Sequence, residues 1–299
     1  MAGNVVNLNR FRKEKQRAAK AKQAETNRIR HGRTQAEKDR ERAERERAER
    51  AIAGKRLDRH VAHATAPVRP SDERREPLPL PSVPGLAVPE GMGERLAAIG
   101  ANISASCLVT VGHYLALLLA MNERMNLTSI TDAPSAWERH ALDALSLLPY
   151  LAGVPAGGRL VDVGSGGGIP GILLAIARPD LDITLIEATQ KKADFLSTVS
   201  EELKLANVVV RAERAEKLAE GPLARQFDAV TARAVARLAT LIPLTAPFAR
   251  AEGRLLLIKG QRAGDELAEA TAVLAAHHVR HETTVATPTG RIVILSRTR

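Results

Sequence analysis

Residues 160–171, LVDVGSGGGIPG, join a short apolar run to a glycine-rich turn. Glycine lets a backbone turn tightly and approach a ligand closely, and proline, here Pro170, is common where a helix begins. The stretch therefore predicts a strand, a ligand-binding turn and a helix in succession. Four cofactor contacts are predicted in it: Asp162 on the strand, and Gly164, Gly166 and Gly168 in the turn.

An acidic residue, Glu187, ends a second apolar run 21 residues after Gly166. A carboxylate at the end of a strand can accept hydrogen bonds from the ribose hydroxyls of an adenosine cofactor. The spacing of Gly166, Gly168 and Gly171 also fits the G-x-G-x-x-G pattern of nicotinamide and flavin binders. The turn and Glu187 together predict a nucleoside cofactor and leave its identity open.

The rest of the chain alternates between apolar runs and amphipathic stretches. The runs RLVDVG, DITLIE, NVVVR, FDAVTA and GRLLLIKG are separated by helical patterns that include 169–178, 190–204 and 237–248, which predicts βαβ units and a parallel sheet. The end differs, because HVRHETTVAT, a Pro-Thr-Gly turn and RIVILSRT predict a hairpin without a helix. This pattern favours an α/β fold, the seven-stranded class I (Rossmann-like) methyltransferase sheet with an antiparallel C-terminal strand, over a dinucleotide-binding fold.

Composition divides the chain into three parts. Residues 1–63 are rich in Arg, Lys, Glu, Ala and Gln, which predicts a basic helical or disordered arm. Seven prolines in 64–90 predict an extended linker. The catalytic domain is expected over 91–299, with helices at 91–150 and the cofactor-binding sheet at 159–299.

The positive charge belongs to the arm. Residues 1–60 contain 19 Lys and Arg against 9 Asp and Glu, and this excess equals the +10 of the whole chain. Cys107 is the only cysteine, so an intramolecular disulfide is excluded and no metal is predicted. No apolar run approaches the roughly 20 residues that span a bilayer, and the N-terminus is polar. We therefore expect a cytoplasmic protein without membrane contact.

Several motifs occur together in a recognisable order. They are NLTSI (126–130), RHALDALSLLP (139–149), VDVGSGGGIPGILLAI (161–176), LIEATQKKADFL (185–196), ELKLANVVVRAERAE (202–216), FDAVTARAVA (227–236) and GRLLLIKG (253–260). In this order they resemble the bacterial 16S rRNA (guanine-N7)-methyltransferases, long called the glucose-inhibited division protein B family. The resemblance covers nearly all of 92–299. It implies a methyl transfer from S-adenosyl-L-methionine to N7 of a guanine in small-subunit ribosomal RNA.

The resemblance also implies particular cofactor contacts and a partner. Position by position, the family's contacts fall on Gly164, Ile169, Ala215, Glu216 and Arg233. The implied partner is 16S ribosomal RNA or a precursor of the 30S subunit, bound by a monomer. Guanine N7 has a lone pair outside the aromatic sextet, so this reaction needs no strong general base.

Candidate substrate-side residues carry cationic or amide side chains suited to phosphate and base edges. Substrate contacts are predicted at Asn126, Arg139, His140 and Lys259, and catalytic roles at Arg139, Arg233 and Lys259. Plainer interpretations are open for three of them. In these interpretations, Asn126 only caps a turn, Arg139 forms an ion pair with Asp143 one helical turn further on, and His140 is a structural histidine. Lys259, at the carboxyl end of a predicted strand, is the better functional candidate.

The arm departs from the methyltransferase family and resembles a small, uncharacterised bacterial protein family that also exists alone. Two interpretations of the arm are open: its charge raises the affinity for RNA through phosphate contacts, or it is a solvated appendage with no role in methylation.

Other functions also fit the predicted sheet. They are a small-molecule or protein methyltransferase, an RNA-binding protein without activity, and a nicotinamide-dependent reductase.

Overall fold

The structure is a computed structural model, and it describes residues 78–233 and 236–298. The predicted arm at 1–63 and most of the predicted linker lie outside the described residues. Within them, one sheet carries helices on both faces. Its strands are β1 (Arg159–Val163), β2 (Asp182–Ile186), β3 (Val208–Arg211), β4 (Phe227–Arg233), β5 (Ala249–Lys259), β6 (Val279–Ala286) and β7 (Arg291–Arg297).

The strand order is β3-β2-β1-β4-β5-β7-β6. The first five strands are parallel, and β7 runs antiparallel to both β5 and β6. Consecutive residues of β1, such as Leu160 and Val161, are buried because helices cover both faces of the sheet. The predicted seven-stranded sheet with its C-terminal hairpin is confirmed.

Helices precede the sheet and connect its strands. Before β1 come α1 (Met92–Ala98), α2 (Ala105–Met125), α3 (Ala133–Ala136), a π-helical turn (Trp137–Leu142), α4 (Asp143–Leu145) and a 3-10 turn (Leu148–Leu151). The connections are α5 (Gly171–Ala177), α6 (Gln190–Glu202), α7 (Ala215–Ala219), α8 (Leu238–Thr245), a 3-10 turn (Ala246–Phe248), α9 (Ala263–Glu269) and α10 (Thr271–Ala276). The predicted helices at 169–178, 190–204 and 237–248 correspond to α5, α6 and α8.

Each face of the sheet has its own apolar core. One core packs α2, α5 and α6 against the sheet and includes Leu118, Ile172 and Leu196. The other packs α8 and the last helices against the opposite face and includes Phe227 and Leu241. Because the central strands are packed between these two cores, the ends of the strands are held in a defined position.

Helix α2 corrects one expectation from the sequence. Its 21 residues are long and apolar enough to cross a membrane by length and composition alone. Half of its apolar window is buried inside the protein, and Leu115 and Leu118 lie fully within the first core. The burial gives α2 the character of a core helix, because its apolar side chains already have partners in the protein.

The boundary near residue 90 is also corrected. Side chains of 78–90, among them Leu78, Leu80 and Leu86, pack on the first core. The Leu86 amide donates to Gly112 O at 3.0 Å, and a Cβ on Gly112 would lie 2.3 Å from Leu86 O. This segment, which we call the strap (78–90), therefore belongs to the same compact unit as the catalytic domain.

Candidate active site

The glycine turn leaves β1 at the carboxyl edge of the sheet, where ligands of α/β folds bind. Gly164, Gly166 and Gly168 have φ values of 72°, 57° and 99°, a left-handed conformation that glycine adopts without steric cost. The hydroxyl of Tyr114, on α2, donates to Gly167 O at 2.6 Å and holds the turn from the helical side. The turn is therefore fixed by side chains as well as by its own backbone.

Asp162 supports the turn from below. Its Oδ1 accepts from the Thr231 hydroxyl at 2.9 Å, and its Oδ2 accepts from the Gly171 amide at 3.2 Å. Burial raises the pKa of Asp162 to about 6, while these donors oppose that rise. Since Asp162 is only 1% exposed and both of its oxygens bind protein groups, the geometry favours a positioning role over the predicted direct cofactor contact.

Glu187 reaches the turn from the end of β2. Its Oε2 accepts from the Gly166 amide at 2.9 Å and its Oε1 from the Thr189 amide at 2.7 Å. A carboxylate oxygen has capacity for a second hydrogen bond. Beside it, a Cβ on Gly166 would meet only Gly164 O, at 3.9 Å, within 4 Å. An acceptor carboxylate next to an open glycine fits the ribose diol of a nucleoside cofactor.

Arg233 ends β4 and is held by the helical segment that precedes the sheet in sequence. Its Nη1 donates to the Arg139 carbonyl at 2.6 Å, and its Nη2 lies 2.7 Å from Nδ1 of His140. The carboxylate of Asp143 lies 3.8 Å from Nη1. The predicted residues Arg139, His140 and Arg233 are thus brought together, and the side chain of Arg233 is only 18% exposed.

His140 is completely buried and both of its ring nitrogens have partners. Its Nε2 lies 2.8 Å from the Thr128 hydroxyl. Burial, together with the charge of Arg233, lowers the pKa of His140 to about 3. The imidazole is therefore neutral at physiological pH, and its engaged nitrogens support the structural interpretation of this residue over an acid or base role.

Asp143 joins this cluster to the C-terminal hairpin. The hydroxyl of Thr289, in the turn between β6 and β7, donates to Asp143 Oδ1. Burial raises the pKa of Asp143 to about 6, against the lowering effect of Arg233 and Arg139. The ion pair between Arg139 and Asp143 that the sequence left open is not formed among the described residues, because Arg233 occupies that place and Arg139 is exposed.

Lys259 has a different environment from the predicted one. Its Nζ donates to Ala236 O at 2.5 Å and lies 2.8 Å from Glu266 Oε2, and the side chain is 7% exposed. The same carboxylate oxygen accepts from the Leu238 amide at 3.0 Å. This geometry does not favour the predicted substrate contact. Lys259 and Glu266 instead bind the backbone of Ala236 and Leu238.

The remaining predicted residues lie around the same edge of the sheet. Asn126 is exposed and ends α2 with a left-handed φ of 51°. This conformation agrees with the plainer interpretation, in which Asn126 caps the end of the helix. Ile169 is buried in the glycine turn and precedes Pro170 through a cis peptide. Ala215 and Glu216 begin α7, directly after the loop that leaves β3.

Sequence reasoning missed several of the side chains that hold the site. They are Tyr114, Thr128, Thr231 and Thr289, and Asp143 was considered only as a partner of Arg139. Thr128 lies inside the NLTSI motif and Thr231 inside FDAVTARAVA, so the motifs contained a signal. Tyr114 lies outside these motifs and Thr289 lies in the Pro-Thr-Gly turn of the hairpin, and only their position in the fold reveals their contacts.

A seven-stranded sheet with a reversed last strand, a glycine turn after β1 and a carboxylate at the end of β2 define the class of S-adenosylmethionine-dependent methyltransferases. The family described as rRNA small subunit methyltransferase G matches residues 109–294, and the chain belongs to this family. A domain of unknown function, DUF4169, matches residues 3–57 and confirms the second resemblance.

Named relatives agree with this assignment. Ribosomal RNA small subunit methyltransferase G of Sorangium cellulosum is 61% identical over 228 residues, which are 76% of this chain and 95% of the relative. The protein of the same name from Halorhodospira halophila is 41% identical over 202 residues, 68% of this chain and 93% of the relative. Among solved structures, a SAM-dependent methyltransferase from Aquifex aeolicus aligns with a TM-score of 0.44 and 18% identity, over 56% of this chain and 95% of its own.

Proposed function

We propose that this chain transfers a methyl group from S-adenosylmethionine to N7 of a guanine in 16S ribosomal RNA. The observation that carries the proposal is the membership of a family named for small-subunit rRNA methylation. The substrate is the RNA itself or an assembling 30S subunit, in the cytoplasm where ribosomes form.

The environment of the titratable groups supports a reaction without a strong base. S-adenosylmethionine supplies an electrophilic methyl group when it is bound. Guanine N7 attacks with a free lone pair, so the enzyme has to align the reactants and shield them from water. His140, neutral and engaged at both nitrogens, is suited to holding Arg233 and not to removing a proton.

Each proposed contact has a matching environment. Glu187 offers acceptor oxygens beside the open face of Gly166, which suits the ribose of the cofactor. Among the described residues, Arg233 uses two of its five N–H donors, on the Arg139 carbonyl and on His140, so the other donors can serve the cofactor or the guanine. Arg139 presents an exposed guanidinium one residue from His140, suited to an RNA phosphate or a guanine edge.

The deciding experiment is nucleoside mass spectrometry of 16S RNA from cells with and without the gene. The proposal predicts the loss of 7-methylguanosine from that RNA and its return when the wild-type gene is restored. Purified enzyme with radiolabelled S-adenosylmethionine should label 30S subunits from the deleted strain and not those from the wild type. Unchanged 7-methylguanosine, with label entering only proteins or small molecules, would favour the alternative methyltransferase function.

A further inference from the structure

We infer that His140 and Thr128 are positioning residues that fix the guanidinium of Arg233 in the orientation used for methyl transfer. The inference rests on the proposed role of Arg233 at the cofactor. His140 and Thr128 would therefore act on the reaction through Arg233 and not by touching the cofactor or the RNA.

The direction of the hydrogen bonds follows from the chemistry of the partners. A guanidinium has only donors, so Nδ1 of His140 must accept from Nη2 of Arg233 across 2.7 Å. Neutral imidazole carries one proton, which must then lie on Nε2 and point at the Thr128 hydroxyl oxygen, 2.8 Å away. Arg233 therefore requires one tautomer of His140, and Thr128 accepts from that tautomer.

In the opposite tautomer, the proton on Nδ1 has one possible acceptor among the described residues. A proton on Nδ1 would point toward the Arg139 carbonyl, 3.3 Å away, and would face an N–H group of Arg233 at 2.7 Å. The shorter and charge-assisted contact favours the Nε2–H form. Rotating the buried ring by half a turn would place a C–H group against Arg233, so the acceptor is available in only one ring orientation.

Thr128 is itself held in place. Its hydroxyl oxygen also accepts from the Ile130 amide at 3.1 Å, and its own amide donates to Asn122 Oδ1 at 2.8 Å. The turn after α2 thereby orients the hydroxyl, the hydroxyl orients His140, and His140 orients Arg233. The NLTSI and RHALD motifs act on Arg233 through this path, and among their predicted substrate residues only Arg139 has an exposed cationic side chain.

Two pairs of variants separate the acceptor role from simple packing. His140→Asn can offer an amide oxygen near the position of Nδ1, whereas His140→Leu removes every acceptor. We expect His140→Leu to weaken S-adenosylmethionine binding about tenfold or more and His140→Asn to recover most of that affinity. Thr128→Val should weaken binding by a smaller factor and Thr128→Ser should match the wild type, all measured by calorimetry. Equal losses in His140→Leu and His140→Asn, both folded, would overturn the inference.

A measurement on the unmodified protein covers the case in which His140 variants fail to fold. Long-range proton–nitrogen NMR of the full chain distinguishes the two imidazole nitrogens by their ¹⁵N shifts. We expect a protonated Nε2 and an unprotonated Nδ1 for His140 at pH 7.5. A proton on Nδ1, or a doubly protonated ring, would overturn the inference.

This result is independent of the proposed contact between Arg233 and the cofactor. If Arg233→Ala keeps both its S-adenosylmethionine affinity and its turnover while the NMR tautomer is as expected, the proposed role of Arg233 fails and the role of His140 in methyl transfer fails with it. If Arg233→Ala loses binding and His140→Leu does not, only the positioning role fails.

Discussion

Nη2 of Arg233 donates to Nδ1 of His140 across 2.7 Å, which joins the last residue of β4 to the π-helical turn that precedes the sheet. Through Asp143, the same guanidinium is linked to Thr289 in the C-terminal hairpin. Three segments that are far apart in sequence thus meet at one cation.

Replacing Arg233 by Ala should lower methyl transfer by on the order of 100-fold, as the loss of a preorganised donor at a reacting centre typically does. Its matched control is Arg250→Ala, because Arg250 also pairs with a carboxylate, Asp228, at 2.7 Å but lies near the amino end of its strand, β5. Turnover on 30S subunits from a deletion strain measures both. Full activity in a folded Arg233→Ala protein would remove Arg233 from the site.

Asp143 should make activity depend on pH near 6. Its pKa is raised to about 6 by burial, so acidification through that range neutralises the partner of Arg233. Activity should therefore fall as the pH drops below 6, and Asp143→Asn should show a low activity without this limb. Asp162, whose pKa is also raised to about 6, could titrate in the same range. A limb that persists in Asp143→Asn would therefore assign it to Asp162.

The stability of Asp143→Asn should change in the opposite direction from its activity. A carboxyl whose folded pKa exceeds the unfolded value of 3.8 favours the fold most below that value, and this contribution is lost as the pH rises through about 6. Removing the charge should thus raise the free energy of unfolding by up to about 3 kcal/mol at pH 8 and by only about half as much at pH 5. Denaturant unfolding at the two pH values measures it, and a loss of stability at pH 8 would mean that the ion pair outweighs desolvation.

Substitutions at Gly166, in the glycine turn, and at Gly171, the first residue of α5, should have different effects. A methyl group on Gly171 would lie 2.3 Å from Leu185 Cδ2, so Gly171→Ala should destabilise the fold. At Gly166 it would face open space, so Gly166→Ala should cost only about 1–2 kcal/mol for its positive φ while weakening S-adenosylmethionine binding. Thermal unfolding and calorimetry compare the two, and normal cofactor affinity in Gly166→Val would contradict the assignment of the turn.

Lys259 should matter for stability more than for RNA. Lys259→Met leaves the partly buried Glu266 carboxylate without its cation, which we expect to cost about 3 kcal/mol. The double variant with Glu266→Gln should recover part of that loss. The RNA affinity of Lys259→Met should differ from that of the wild type by less than about twofold. Arg139→Ala should bind RNA more weakly, because it loses a cation that can contact a phosphate. A selective loss of RNA binding in Lys259→Met would restore its predicted substrate role.

The arm and the strap should respond differently to truncation. Deleting residues 1–70 removes the charge excess and keeps the strap, so turnover at saturating RNA should survive while RNA binding weakens. The slope of log affinity against log salt should flatten by about 0.7–0.9 for each phosphate that the arm no longer neutralises. Deleting residues 1–90 also removes the apolar packing of Leu78 and Leu86 and should lower the melting temperature. Identical salt dependence in the full chain and the shorter deletion would make the arm a passenger.

Much of the fold could be predicted because its signals are local. Glycine spacing, a carboxylate after an apolar run and the alternation of apolar stretches describe neighbouring residues, and the backbone of a strand or turn responds to its neighbours. The C-terminal hairpin was predicted for the same reason. The linker boundary was wrong because proline content says that 78–90 is extended and does not say whether it packs.

Residue types, their spacing and the order of the motifs were sufficient to predict the class of the fold, the glycine turn and the family. The partners of the charged side chains, in contrast, emerged only from the folded arrangement. Arg233 meets the Arg139 carbonyl 94 positions earlier, and Asp143 meets Thr289 146 positions later. A hydrogen bond and a shifted pKa depend on where atoms lie and on how much water reaches them. For that reason Lys259, predicted at the substrate, lies instead in a partly buried ion pair with Glu266.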